Sequence, residues 1–157
     1  FDPHVLSTEF GKIGDFKITV AKGISLIGEL NKIKMSYFQY NYPLIASTTT
    51  FLNVAIAHPY DIAAMKLVAI MDRGTKRDFV DLYELINQGI TLDMMLQLYD
   101  KKYSRLAENL YSLTVALQYF DEAEEGEMPQ MIRPVDWEEV KRFFTRESMR
   151  LARKHLE

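Results

Sequence analysis

The chain has 157 residues, nearly half of them apolar (48%), and a net charge of only -3. That is enough material for one compact domain with a real core, and the charge balance gives no global argument for nucleic acid binding. It contains no cysteine, no apolar run of membrane-spanning length and no basic leader before an apolar stretch, so the sequence reads as soluble, cytoplasmic and away from membranes.

Phe1-Asp2-Pro3-His4 is not a natural start, and Leu156-Glu157 resembles a tag-cloning scar, so the chain is expected to be a fragment. From Phe16 to Tyr40, β-branched and aromatic residues alternate with polar ones, broken at Lys22-Gly23 and at Glu29 to Asn31. This predicts a three-strand meander over Phe16–Ala21, Ile24–Leu30 and Lys32–Gln39, with Ile33, Met35 and Tyr37 on one face of the third strand. Phe51 to Ala57 has the length and composition of a further strand. After Pro59 the period changes to that of a helix, opened by proline, complemented by Asp61 near its positive end and running to about Asp72 before Gly74. Thr75 three residues before Asp78 reads as a capping-box variant for the next helix, whose apolar stripe is Phe79, Leu82, Tyr83 and Ile86. Further helices are predicted over Leu92–Tyr103, Leu106–Phe120 and Asp136–Lys154, with Asp121 to Glu127 as an acidic connector. The fold class is therefore α+β: a small antiparallel meander over residues 1–57 packed against a mainly helical part over 58–157, together one compact unit.

One lysine stands out. Lys66 sits inside the apolar run from Ile62 to Met71, and an ammonium in such surroundings requires an anionic partner. Arg73, Arg77, Asp78 and Asp81 follow within two helical turns and a short loop. Lys66 and Arg73 are seven residues apart, about 20° from one another around a helix. A lysine, two guanidinium groups and two carboxylates converging between antiparallel helices could hold a phosphate chain, lysine as a point charge and arginine as a planar fork. On spacing alone a purely structural reading has the stronger claim: Asp78 as a helix cap, Arg77–Asp81 as a surface pair, Lys66 reaching out to solvent. His4, His58 and His155 show no metal-ligand spacing, so no metal site is expected in the chain itself. The cations Lys141, Arg142, Arg146, Arg150, Arg153 and Lys154 give the last helix a basic side that reads as a solvated face or an RNA contact.

Three segments carry a family resemblance: Tyr60 to Lys66 (YDIAAMK), Arg73 to Leu82 (RGTKRDFVDL), and Ala116 to Glu124 (ALQYFDEAE) with Met128-Pro129 and Asp136-Trp137. Together they resemble the AbiEii/AbiGii nucleotidyltransferase family, polymerase-beta-like enzymes that include toxins of phage-defence toxin–antitoxin systems. The resemblance implies a partial nucleotidyltransferase-like fold and a site that transfers a nucleotidyl group from a nucleoside triphosphate (NTP), with Mg2+, to an RNA or protein acceptor. It makes Lys66 the triphosphate contact and Asp78 or Asp81 the acidic catalytic member; Arg73 and Arg77 join Lys66 as expected phosphate contacts on the spacing above. The alternative is a non-catalytic protein-interaction module of the same fold.

The family's metal-holding D-x-D pair, placed after a glycine turn ahead of the meander, has no counterpart in these residues. The chain alone is therefore expected to transfer nothing in a magnesium-containing assay. An unpaired meander edge implies self-association into a homo-oligomer, which light scattering would detect. A cognate antitoxin is the partner the resemblance implies. Lys66→Met is expected to spare folding, since it keeps the chain length and apolar packing.

Overall fold

The computed structural model describes residues 1–156, so Glu157, half of the supposed cloning scar, lies outside the described residues. The chain divides into two compact units, Phe1–Tyr42 and Pro43 onward.

The first unit opens with a helix that the sequence reading did not anticipate, α1 (Pro3–Ile13). Its signature was present: Asp2 accepts from the His4 and Val5 backbone N–H groups, and Pro3 occupies the first turn, where its missing donor costs nothing. The meander follows as β1 (Phe16–Lys22), β2 (Ser25–Leu30) and β3 (Ile33–Phe38), antiparallel in sequential order. Phe16 lies opposite Leu30 and Gly28 opposite Met35. Phe10 of α1 rests on Phe16 and Tyr37, with ring centroids 5.1 and 5.2 Å away. Gly28 lets this face close, because a Cβ there would stand 2.6 Å from the Lys17 carbonyl and 2.7 Å from the Phe16 ring.

In the second unit, the single strand expected over Phe51–Ala57 is instead a hairpin, β4 (Thr49–Phe51) and β5 (Val54–Ile56). The chain turns at Leu52 and Asn53, both with positive φ (48° and 63°), the geometry that suits the twist of a two-residue hairpin. Leucine is a poor choice there, since its Cβ crowds the backbone in the left-handed region. Leu52 is also 80% exposed, so Leu52→Asn is expected to raise stability by about 0.5–1 kcal/mol. Urea unfolding with an unchanged or lowered midpoint would refute this.

Five longer helices follow, α2 (Pro59–Asp72), α3 (Lys76–Asn87), α4 (Leu92–Tyr103), α5 (Leu106–Ala116) and α7 (Trp137–Leu156), with a short α6 (Asp121–Glu125) inside the supposed connector. Helix α5 stops four residues earlier than the sequence reading placed it. Their apolar stripes meet in one core built on Leu67, Phe79, Leu82, Met95, Leu113, Leu117, Phe144 and Leu151. Phe79 lies at its aromatic centre, 5.0 Å from Phe120, 5.4 Å from Phe144 and 6.0 Å from Trp137.

The loop before the hairpin joins this unit through a buried ion pair. Asp61, fully buried, accepts from the backbone N–H of Ile45 (2.9 Å) and Ala46 (3.2 Å) and from Lys102 Nζ (2.5 Å). Lys102 Nζ also donates to the Pro43 carbonyl at 2.7 Å. Asp61 thus anchors a loop and a second helix, beyond the terminal charge it was read as. The hairpin and the helices belong to the same unit, which begins at Pro43.

Candidate functional site

Helices α2 and α3 are joined by a tight turn at Gly74, whose φ of +47° any side chain would make costly. The Gly74 N–H donates back to the Ala69 carbonyl (3.0 Å), closing α2 and fixing Arg73 and Thr75 on either side of the turn. Four of the residues singled out in the sequence meet there. Lys66 Nζ lies 2.9 Å from Asp78 Oδ1 and 2.5 Å from Asp81 Oδ2. Arg73 forks onto the same Asp78 carboxylate, Nε to Oδ2 at 2.9 Å and Nη2 to Oδ1 at 3.1 Å.

Thr75 completes the shell in an unexpected way. Read as a cap, its hydroxyl caps no backbone group of α3 and instead donates to Asp78 Oδ2 at 2.6 Å. The Asp78 carboxylate therefore accepts four hydrogen bonds, which fills its acceptor sites. Burial by itself would raise its pKa, but the bonds from Arg73, Thr75 and Lys66 outweigh that and hold it well below the usual carboxylate range. The same contacts raise the Arg73 guanidinium, chiefly through its hydrogen bond to Asp78.

The two aspartates differ in access. The Asp78 side chain is wholly buried, while that of Asp81, one turn further along α3, is 42% exposed. Lys66 bridges them from α2 with its side chain 19% exposed, so it neither reaches freely into solvent nor lacks a partner. Arg77 stands apart from this cluster. It is exposed, makes no ion pair with Asp81, and has no hydrogen-bond partner among the described residues. With Arg73 and Lys76 it borders a groove of about 540 Å³, closed on the far side by Gly126 to Gln130. Lys76 ties that segment down through the Gly126 carbonyl (2.7 Å) and lies 5.3 Å from the Trp137 ring centroid. Asp81 borders a second groove of about 400 Å³, and Gln130 lines both.

A divalent cation does not fit the carboxylates present. Asp78 has no acceptor site to spare, Asp81 is paired with Lys66, and no group of three or more His, Cys, Asp or Glu side chains converges among the described residues. An anion fits better: Arg73, Lys76 and Arg77 face one groove at the start of α3.

Sequence reasoning missed Lys102, which has polar neighbours in sequence and is marked only by its helical periodicity. Met95, Leu96 and Tyr99 form the apolar stripe of α4, and Lys102 is the next position on it.

The site joins a lysine, an arginine fork and two aspartates on adjacent helices of a mixed α+β chain, and comparison with known proteins gives the family. The chain belongs to the family described as nucleotidyl transferase AbiEii toxin, type IV toxin–antitoxin system, whose family model matches residues 27–155. It is 37% identical over 149 residues to the uncharacterized protein aq_aa25 of Aquifex aeolicus (strain VF5), covering 93% of this chain and 70% of that protein. No solved structure matches it. No helix among the described residues is long and apolar enough to cross a membrane.

Proposed function

We propose that the α2–α3 pair forms the phosphate-binding wall of a nucleotidyl transfer site that moves a nucleotidyl group from an NTP to an RNA or protein acceptor. The observation that carries this reading is the bridged lysine: Lys66 is held between a saturated, buried Asp78 and a half-open Asp81, with Asp81 on one groove, Arg73 and Arg77 on the next, and Gln130 common to both. Asp78 then acts as the anchor that fixes Lys66 and Arg73, and Asp81 is the acidic member facing the ligand. Lys66, Arg73 and Arg77 contact the triphosphate. Magnesium, which would stabilise the attacking and leaving oxygens, belongs to carboxylates other than these. Within a type IV toxin–antitoxin family the expected partner is a cognate antitoxin, and phage defence is the setting this reading favours.

Two substitutions separate this reading from a structural one. Arg77→Gln removes an exposed, unpaired cation, so thermal stability should stay within about 0.5 kcal/mol of the parent. Binding of a fluorescent NTP analogue should weaken by about tenfold, in line with the loss of one charge-assisted contact worth about 1.5 kcal/mol. Lys66→Met should cost about 1–2 kcal/mol of stability, against the sequence expectation of none, because it removes one of the donors to a buried carboxylate. In a protein that also carries the family's D-x-D pair it should slow transfer by about a hundredfold or more. Unchanged NTP binding in Arg77→Gln and unchanged transfer in Lys66→Met would leave these residues with a structural role only.

A further inference from the structure

The last helix carries a feature that this function does not use. Between Lys141 and Lys154, α7 bears six cations and a single acid, Glu147, in a chain whose net charge is -3. Some of these cations are neutralised within the fold. Lys141 pairs with Glu124 and Glu138, while Arg150 and Lys154 share Asp93. The others are not. Arg146 and Arg153 have no ion-pair partner among the described residues, and the acid nearest Arg142 is 4.0 Å away at Asp136.

Those three arginines and Met149 fall at i, i+4, i+7 and i+11, all four exposed, Met149 by 52%. On a helix that spacing confines them to an arc of about 60° and spreads them over about 16 Å, three turns. The buried stripe Val140, Phe144, Ser148 and Leu151 lies on the opposite side, so the exposed stripe is not a by-product of core packing. It lines an open groove of about 1070 Å³ whose floor includes Thr145 and Phe120.

We infer that this stripe of α7 is a docking surface for an acidic amphipathic helix of a partner protein. The repeat is the one that a second helix follows along its own axis, with an apolar residue at the centre and cations flanking it. The partner implied by complementarity presents an apolar ridge between rows of carboxylates, which meet Arg142, Arg146 and Arg153 while its apolar side chains cover Met149 and the aliphatic arginine stems. A nucleic acid strand fits less well, because its bases need free aromatic faces. The ring at this groove, Phe120, is packed on Phe79 at 5.0 Å and on Trp137 at 5.9 Å.

The test is fluorescence anisotropy on the whole chain with a labelled 18-residue helical peptide of leucine, alanine and glutamate, its leucines on one face and its glutamates flanking them. Saturable one-to-one binding is expected, at least tenfold tighter than for a scrambled peptide of the same composition. The triple variant Arg142→Glu, Arg146→Glu, Arg153→Glu should lose at least tenfold toward the acidic peptide and gain binding to its lysine-flanked counterpart. On the unmutated chain, hydrogen exchange should slow over residues 142–153 when the acidic peptide is added. The inference is overturned by absence of binding, by equal binding of the scrambled peptide, or by protection elsewhere in the chain. It is overturned equally if an 18-nucleotide oligouridylate binds more tightly than the peptide and loses its affinity in the same triple variant, which would assign the surface to RNA. None of these readings depends on nucleotidyl transfer.

Discussion

Replacing Lys102 with methionine is expected to cost about 3–5 kcal/mol, the figure for breaking a buried ion pair by removing one partner. Lys102 and Asp61 both have fully buried side chains, and the bond between them spans 41 positions of sequence. Without the ammonium, Asp61 keeps only the Ile45 and Ala46 amides, and the Pro43 carbonyl loses its donor. Proteins of this size are stable by about 5–15 kcal/mol, so the loss would consume a large share of the total. Burial alone would raise the Asp61 pKa, but the hydrogen bonds from Lys102, Ile45 and Ala46 prevail and lower it. Urea unfolding at neutral pH should therefore show a much reduced midpoint, with the slope unchanged. The double variant Asp61→Asn/Lys102→Met should lose less than the two single losses added together, because the second change removes the orphaned charge. A Lys102→Met loss below about 1 kcal/mol would mean that the carboxylate finds water and that the pair does not anchor the 43–46 loop.

The second large effect belongs to Asp78→Asn, with an expected cost of about 3 kcal/mol. Asparagine has nearly the same shape but turns half of the acceptor group into a donor, which then faces donors from Lys66, Arg73 and Thr75. The loss stays near the lower end of the buried-pair range because Arg73 is 63% exposed and Lys66 retains Asp81. The pH dependence gives an independent signature. The folded-state pKa of Asp78 is depressed, so between that value and the unfolded carboxylate value near 3.9 the unfolded chain binds more protons. The stabilisation is complete above about pH 5 and drains away as the pH falls through the folded pKa. Parent and variant should therefore differ most at neutral pH and converge in acid, with the variant showing the flatter profile between pH 5 and pH 2. A constant gap across that range would show that the cost is one of packing and not of charge.

The proposed phosphate wall constrains how these results combine. If Asp78 is the anchor and Asp81 the open carboxylate, Asp78→Asn weakens ligand binding through lost positioning and carries a stability cost with it. Arg77→Gln weakens binding alone. The two effects are separable because one residue is buried and saturated while the other is exposed and unpaired.

Much of the second unit was legible in the sequence because its signals are local. Pro59 and the Gly74 turn delimit α2, and the stripe Phe79, Leu82, Tyr83 and Ile86 marks α3, since caps and periodicity involve residues within a few positions of each other. The same logic required a partner for Lys66, and the carboxylates lie where it pointed. Helix α1 was equally local, with Asp2 and Pro3 at its start, but was obscured by reading those residues as a foreign start. What only the tertiary structure decided was which of two aspartates three positions apart is buried, because Lys66 on α2 reaches both and the packing of α3 buries only Asp78. Arg77 stands outside the cluster, in which Lys66, Arg73 and Thr75 fill Asp78 while Asp81 pairs with Lys66. The stripe of α4 marks Lys102 as a lysine to be buried, but nothing in local spacing names its partner Asp61, 41 positions away. A sequence displays which groups must find partners when buried, but competition among donors for a finite number of carboxylate lone pairs is resolved only when distant helices pack.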